Sequence, residues 1–285
     1  MARNQYYSRY GGSTRRRSAK PRFYVLLTLV VILAVAGSFI INVTSQVKTL
    51  NMSTVEASYL DFEDIKSVTK WHNKEVRFAY LTFDDGPSRN TSEILDILDS
   101  YGIKGTFFVL GTAISNYSNA EDMLQRMAND GHYIGMHSMT HDFDYLYKDE
   151  NAAQNFVGEI KEQQELISSI TGGFESQLCR APYGTGGTFT EEHIAALIEA
   201  GIKCWDWDID SMDWSYNASQ IMTKIDSDMT LWNKPTHTVI LFHEKDVTVE
   251  VLPQVIEYYL DLGYEFLPYN PDSHVIKNLV NSVDL

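Results

Sequence analysis

From Arg77 onward the chain alternates short apolar runs with stretches of helical periodicity. Residues 78–83 (Phe-Ala-Tyr-Leu-Thr-Phe) have the length and aromatic content of a buried strand. An amphipathic helix is predicted over 91–101, with Ile94, Leu95 and Leu98 on one face and Gly102 as its C-cap. The same alternation continues with strands at 105–110, 132–136, 177–181, 202–208, 236–242 and 264–267. Helices are predicted between them at 120–129, 152–170, 190–200, 218–229 and 248–262. In the longest of these, Phe156, Ile160 and Leu166 are the expected buried positions. Such β–α repetition specifies a parallel α/β architecture, as an open doubly wound sheet or a closed barrel. No glycine-rich phosphate loop follows the first strand, which favours the barrel, although the length is short for a regular eight-fold one.

Composition adds an N-terminal division to this picture. Residues 23–41 are uncharged and nearly all apolar, close to the span of a bilayer. Seven Arg and Lys residues precede them, so by the positive-inside rule that end is expected in the cytoplasm. Ala34-Val35-Ala36 resembles a signal-peptidase site, but the apolar run continues through Ile41, which favours a retained anchor. The expected organisation is a basic cytoplasmic tail at 1–22, a single transmembrane helix at 23–42 and an extracytoplasmic stalk at 43–74. A folded domain at 75–270 and a C-terminal tail at 271–285 complete it.

Downstream of the basic tail, 16 Lys and Arg face 38 Asp and Glu, a formal −22 that argues against nucleic-acid binding. Nothing in the chain points to a protein partner. Cys179 and Cys204 lie in apolar, strand-like stretches and read as buried thiols rather than a disulfide.

The polar residues of interest all fall at the C-terminal ends of predicted strands. Asp84 and Asp85 end the first, His137 and His141 follow 132–136, and Arg180 ends 177–179. Asp208, Asp210, Asp213 and Trp214 follow 202–207, and His243 ends 239–242. In a parallel barrel these ends share one face, the face on which active sites are built. Two histidines four residues apart would share one side of a helical turn, near enough to bind one metal ion. One carboxylate from Asp84 or Asp85 would complete a two-His, one-carboxylate site. Zinc suits those ligands, with cobalt, nickel or iron compatible by ligand type. The other aspartate would serve as general base for attack of water on a carbonyl, with His243 as proton donor and Arg180 fixing the base.

Thr82-Phe83-Asp84-Asp85-Gly86-Pro87, His137-Ser138-Met139-Thr140-His141, Arg180-Ala181-Pro182-Tyr183-Gly184, Asp210-Ser211-Met212-Asp213-Trp214 and Leu241-Phe242-His243 resemble, in this order, the five motifs of the polysaccharide deacetylases. These are the carbohydrate esterase family 4 enzymes, or NodB homology domains. The resemblance covers about residues 75–268. It implies a distorted, incomplete (β/α) barrel and a metal-dependent hydrolase that removes acetyl groups from sugars. By motif, Asp84 would be the catalytic base, and Asp85, His137 and His141 the metal ligands, with Zn2+ the leading ion and Co2+ or Ni2+ alternatives. Arg180 would orient Asp84, and the Tyr183 backbone amide would help stabilise the oxyanion. Trp214 would wall the groove, Leu241 would line the acetyl pocket, and His243 would be the general acid. Asp213 is the first choice to tune His243, with Asp210 its rival. Ala181 stands where Pro is common, Asp142 follows His141 where Pro is frequent, and 184–187 is unusually glycine-rich; none of these removes a catalytic atom.

The resulting expectation is an anchored, single-pass enzyme of the cell membrane with its domain outside. Its substrate would be an acetylated glycan polymer, first of all peptidoglycan N-acetylglucosamine. Other acetylated surface polysaccharides and chitin-like oligomers are rivals within the class. A non-catalytic glycan-binding module is the reading from outside it.

Overall fold

The computed structural model describes residues 76–285. The expected tail, anchor and stalk at 1–22, 23–42 and 43–74 lie outside the described residues. Among the described residues, no helix is long and apolar enough to cross a membrane.

The strands are β1 (Arg77–Gly86), β2 (Thr106–Val109), β3 (Tyr133–Met136), β4 (Leu178–Cys179), β5 (Lys203–Cys204), β6 (Ile209–Asp210), β7 (His237–His243) and β8 (Tyr264–Phe266). The helices are α1 (Thr91–Tyr101), α2 (Gly111–Asn116), α3 (Ala120–Asn129), α4 (Phe143–Tyr147), α5 (Ala152–Thr171), α6 (Glu191–Ala200), α7 (Ala218–Leu231) and α8 (Asp246–Asp261). All strand pairs are parallel, in the order β5-β4-β3-β2-β1-β7-β6. β8 pairs with the first three residues of β1, and β2 takes over beside Thr82. The result is a curled parallel half-barrel with β1 at its centre.

Alternation along the strands sorts the two faces. Ala79, Leu81 and Phe83 of β1, Phe107 and Val109 of β2, and Ile240 and Phe242 of β7 join the main core, which also takes in buried residues of the helices. Tyr80, Phe108, Tyr133, Leu178, Trp205 and Val239 form a second, aromatic-rich cluster inside the curl, with Tyr269. Trp205 and Tyr269 meet edge-on at 4.9 Å between ring centroids, and Tyr133 and Tyr269 at 4.7 Å, arrangements favoured by the ring quadrupoles. This cluster closes the floor, so polar residues further along the same inward-facing columns sit above a dry base.

The apolar run expected as one strand at 202–208 is divided. β5 ends at Cys204, and the chain crosses in four residues to β6 on the opposite edge of the sheet. A helix cannot be placed in so short a crossing. Residues 271–285, expected as a tail, lie along this crossing. Trp205 pairs with Lys277 in a parallel bridge, Asp206 N donates to Lys277 O at 2.5 Å, and Trp205 Nε1 donates to Val275 O at 2.6 Å. Lys277 Nζ pairs with Asp208 at 2.7 Å. Cys179 and Cys204 are opposite each other on β4 and β5, buried and not bonded.

Candidate active site

Adjacent residues on a regular strand point to opposite faces. β1 breaks this rule at its end. Its register with β2 shifts between Asp84 and Gly86, and Asp85 is left-handed at φ 68°. A bulge of this kind re-aims a side chain, and here both carboxylates reach one histidine. His137 Nε2 lies 3.8 Å from Asp84 Oδ2 and 3.6 Å from Asp85 Oδ1. His141 Nε2 lies 3.8 Å from the same Asp85 oxygen. The turn after Asp85 docks on Glu244: Thr91 Oγ1 donates to its carboxylate, and Asn90 Nδ2 to its carbonyl at 3.0 Å. A Cβ on Gly86 would fall 2.1 Å from Glu244 Oε1, so a larger residue there would have to displace the Glu244 carboxylate. Burial raises the Glu244 carboxyl to about 7.

The two histidines are not joined by the helical turn expected from their spacing. Residues 137–141 form an irregular loop in which Ser138 and His141 are both left-handed, at φ 73° and 60°. The ring contact is nonetheless made, at 5.3 Å between centroids. His137 Nδ1 is 2.8 Å from Arg180 O, a carbonyl that can only accept. The proton therefore sits on Nδ1, and Nε2 presents a lone pair toward Asp85. Burial, and next the neighbouring His137, lower the His141 pKa below the ordinary histidine value against the pull of Asp85. Neutral imidazole is the metal-binding form.

Arg180 is fully buried and makes four hydrogen bonds. Nη1 donates to Asp84 Oδ1 at 2.8 Å and to Thr82 Oγ1 at 2.7 Å; Nε and Nη2 donate to the carbonyls of Trp205 and Asp206 at 3.0 and 2.9 Å. Its guanidinium carbon lies 4.2 Å from the centroid of the Phe108 ring. A Cβ on Gly135 would stand 2.6 Å from that ring, so glycine makes room for the stack.

On the other side of β1, His243 is in register with Asp84. Asp213 accepts from His243 Nδ1 at 2.7 Å, from His243 N at 2.6 Å and from Thr248 Oγ1 at 2.5 Å. Asp210 instead accepts from Met212 N at 2.8 Å and shapes its own turn. Leu241 is buried on β7, two residues before His243 and on the same face. Tyr183 is left-handed at φ 66°, its ring edge-on to His141 at 4.6 Å, and Trp214 is 59% exposed.

The sequence model of the polysaccharide deacetylases matches residues 72–205. A peptidoglycan-N-acetylglucosamine deacetylase of Bacillus cereus is 34% identical over 88% of this chain and 93% of its own. A putative polysaccharide deacetylase of Bacillus subtilis is 33% identical over 85% and 86%. Among solved structures, the polysaccharide deacetylase Bc1974 of Bacillus cereus superposes with a TM-score of 0.67 at 37% identity, covering 73% of this chain and all of that one. The chain belongs to the polysaccharide deacetylase family. It is an enzyme of carbohydrate esterase family 4, acting on acetylated polysaccharide.

Deacetylases of this family are metal-dependent, and the donor set here fits an ion. Asp85, His137 and His141 offer ligand atoms within 4.8 Å of one another. Among the described residues, Asp85 Oδ1, buried between the two imidazoles, has no hydrogen-bond partner. A buried carboxylate oxygen without a donor is costly, and a cation removes that cost.

Several supporting residues escaped the sequence reading. Thr82 lies inside the apolar run, Thr248 is in the first turn of α8, and Asp206 sits in the crossing between β5 and β6. Each is polar and fully buried, yet no local pattern marks any of them as supporting the site.

Proposed function

We propose that this polysaccharide deacetylase uses a divalent ion, most simply Zn2+, held by Asp85, His137 and His141, to hydrolyse the acetamido group of peptidoglycan N-acetylglucosamine. The observation that carries the metal reading is the division of the adjacent aspartates. Arg180 already occupies Asp84, whereas Asp85 Oδ1 faces two imidazole nitrogens and, among the described residues, no donor.

A bound ion would polarise the acetyl carbonyl and acidify the attacking water. Asp84 accepts the proton of that water at Oδ2, its other oxygen being held by Arg180. His243, with Nδ1 engaged by Asp213, donates a proton from Nε2 to the departing sugar nitrogen. The products are acetate and the free amine. Leu241 supplies an apolar surface for the acetyl methyl group, the Tyr183 amide serves the developing oxyanion, and Trp214 offers an exposed face to a neighbouring sugar.

Peptidoglycan as substrate is supported by the activity named for the Bacillus cereus relative. We further propose that residues 23–42 anchor the enzyme in the cell membrane with its domain outside, against the wall. Acetate release from peptidoglycan, chitin-like oligomers and O-acetylated glycans, with and without chelator, tests the substrate and the metal together. Chelator-insensitive release would overturn the metal reading, and preference for another glycan would overturn the substrate. Recovery of the protein solely from the medium would overturn the anchor.

A further inference from the structure

α5 buries two polar side chains one turn apart, Glu159 and Gln163, on the face that also carries Phe156 and Ile160. Burying a carboxylate is costly unless its oxygens are satisfied. Those of Glu159 are satisfied by the histidine loop. Oε2 accepts from Met139 N at 2.8 Å and Thr140 N at 3.0 Å, and Oε1 accepts from Thr140 Oγ1 at 2.7 Å. Gln163 Nε2 donates at 2.5 Å to Val109 O, which also accepts from His137 N at 3.0 Å.

The opposite side of the loop is tied to α2. Gly111 N and Thr112 N donate to the carbonyls of Ser138 and Met139 at 3.1 and 2.9 Å. A Cβ on Gly111 would fall 2.3 Å from Met139 Sδ, so the approach demands glycine. Between these ties the loop holds two non-glycine residues with positive φ, Ser138 and His141. Such conformations are strained for residues with a side chain and persist only where surrounding bonds impose them. Glu159 supplies three of those bonds at the centre of the segment that joins the two histidines.

We propose that Glu159 is a positioning residue for the metal site. Its carboxylate fixes the Met139–Thr140 backbone so that His137 and His141 both present Nε2 to Asp85, and so it sets affinity for the ion. The inference rests on the metal reading of those three residues. A carboxylate suits the task because both oxygens accept, and hydrogen bonds to a charged acceptor are roughly twice as strong as neutral ones. An amide in its place would turn an NH2 toward one of the donors.

The test is Zn2+ binding by the full chain, measured by competition with a chromophoric chelator, together with the Co2+ absorption spectrum. Glu159→Gln is expected to bind Zn2+ about 10- to 100-fold more weakly, the range for residues that orient metal ligands, and to alter the Co2+ bands. Met229→Ala, a cavity at a buried position of α7 outside the site, controls for lost stability and is expected to keep wild-type affinity. Wild-type affinity and an unchanged Co2+ spectrum in Glu159→Gln would overturn the proposal while leaving the metal site standing. Absence of Zn2+ binding by the wild type would overturn both. If Glu159→Gln does not fold, Thr140→Val removes one of the three bonds, together with the one that Thr140 Oγ1 accepts from Asp142 N at 3.2 Å. Weaker Zn2+ binding, restored by Thr140→Ser, supports the proposal, and unchanged binding overturns it.

Discussion

Asp213 holds His243 at two points, the ring at Nδ1 (2.7 Å) and the backbone at N (2.6 Å). Burial alone would push this imidazole down. The hydrogen bond to Asp213 and the charges of Asp84, Asp213 and Asp85 outweigh it, so His243 titrates above the ordinary 6.5. A group raised on folding stabilises the fold below its unfolded value, and that contribution is lost as pH rises through the folded value. The catalytic consequence has the same sign. With its Nδ1 proton held by Asp213, the imidazole can donate from Nε2 only while charged, so kcat is expected to fall on the alkaline side as pH passes the raised value. Asp213→Asn keeps the shape but removes the charge. Its alkaline limb is expected to move to lower pH, with turnover near pH 8 reduced roughly 10-fold or more. A pH–kcat profile with an unmoved limb would assign that limb to another group.

The adjacent aspartates are expected to fail in different ways. Asp84→Asn leaves Asp85, His137 and His141 in place, so the variant should retain Zn2+ while losing about 10²- to 10⁴-fold in kcat, the usual worth of a general base. Asp85→Asn removes the charged ligand and should lose the ion first. Metal content after dialysis, measured beside acetate release, separates them. Metal loss from Asp84→Asn with retention in Asp85→Asn would reverse the two roles.

This division could not be read from the chain. Asp84 and Asp85 were legible as a pair because they end an uninterrupted apolar run, and His137, Arg180 and His243 were legible for the same reason. Strand ends are marked locally, and a parallel sheet gathers them on one face without further information. What decides between neighbours is tertiary. The bulge at Asp85 exists in the pairing of β1 with β2, and the choice of Asp213 over Asp210 depends on where β7 and α8 bring His243 and Thr248. Glu159 reads as one polar residue among many on α5, because periodicity cannot tell a solvated carboxylate from one buried against a loop 20 residues away. The strand expected over 202–208 was misjudged for a related reason. Beyond Cys204 the run leaves the ladder, and Trp205 is buried by the crossing instead; burial looks the same in sequence either way.

Arg180 joins the catalytic layer to the floor of the half-barrel. Removing one partner of a buried pair leaves an uncompensated charge, so Arg180→Met is expected to destabilise the fold by about 3–5 kcal/mol. Gly135→Ala tests the same column from beneath. The new Cβ must displace the Phe108 ring on which Arg180 rests. Overpacking of this kind costs about 1–3 kcal/mol. Urea denaturation reads both; a Gly135→Ala midpoint equal to wild type would show that Phe108 has room to move.

The C-terminal segment acts on the site through the same arginine. Residues 271–285 satisfy Trp205 Nε1, Asp206 N and, through Leu279 N at 2.6 Å, Asp206 Oδ2. The Asp206 carboxylate also accepts from Thr185 N at 2.8 Å, two residues beyond Tyr183, while the carbonyls of Trp205 and Asp206 hold Arg180. Deleting 271–285 would therefore leave buried polar groups unpaired on the crossing that supports Arg180, at about 1–3 kcal/mol each. The deletion is expected to lower the urea midpoint and, in the protein that remains folded, to lower kcat as Arg180 loses its fixed support for Asp84. Lys277→Met, which removes the ion pair to Asp208 and the bond to His237 O at 3.2 Å but keeps the backbone ties of the segment, should lower the midpoint by less and leave kcat near wild type. A deletion that changed neither quantity would mean that the crossing is held by the sheet alone.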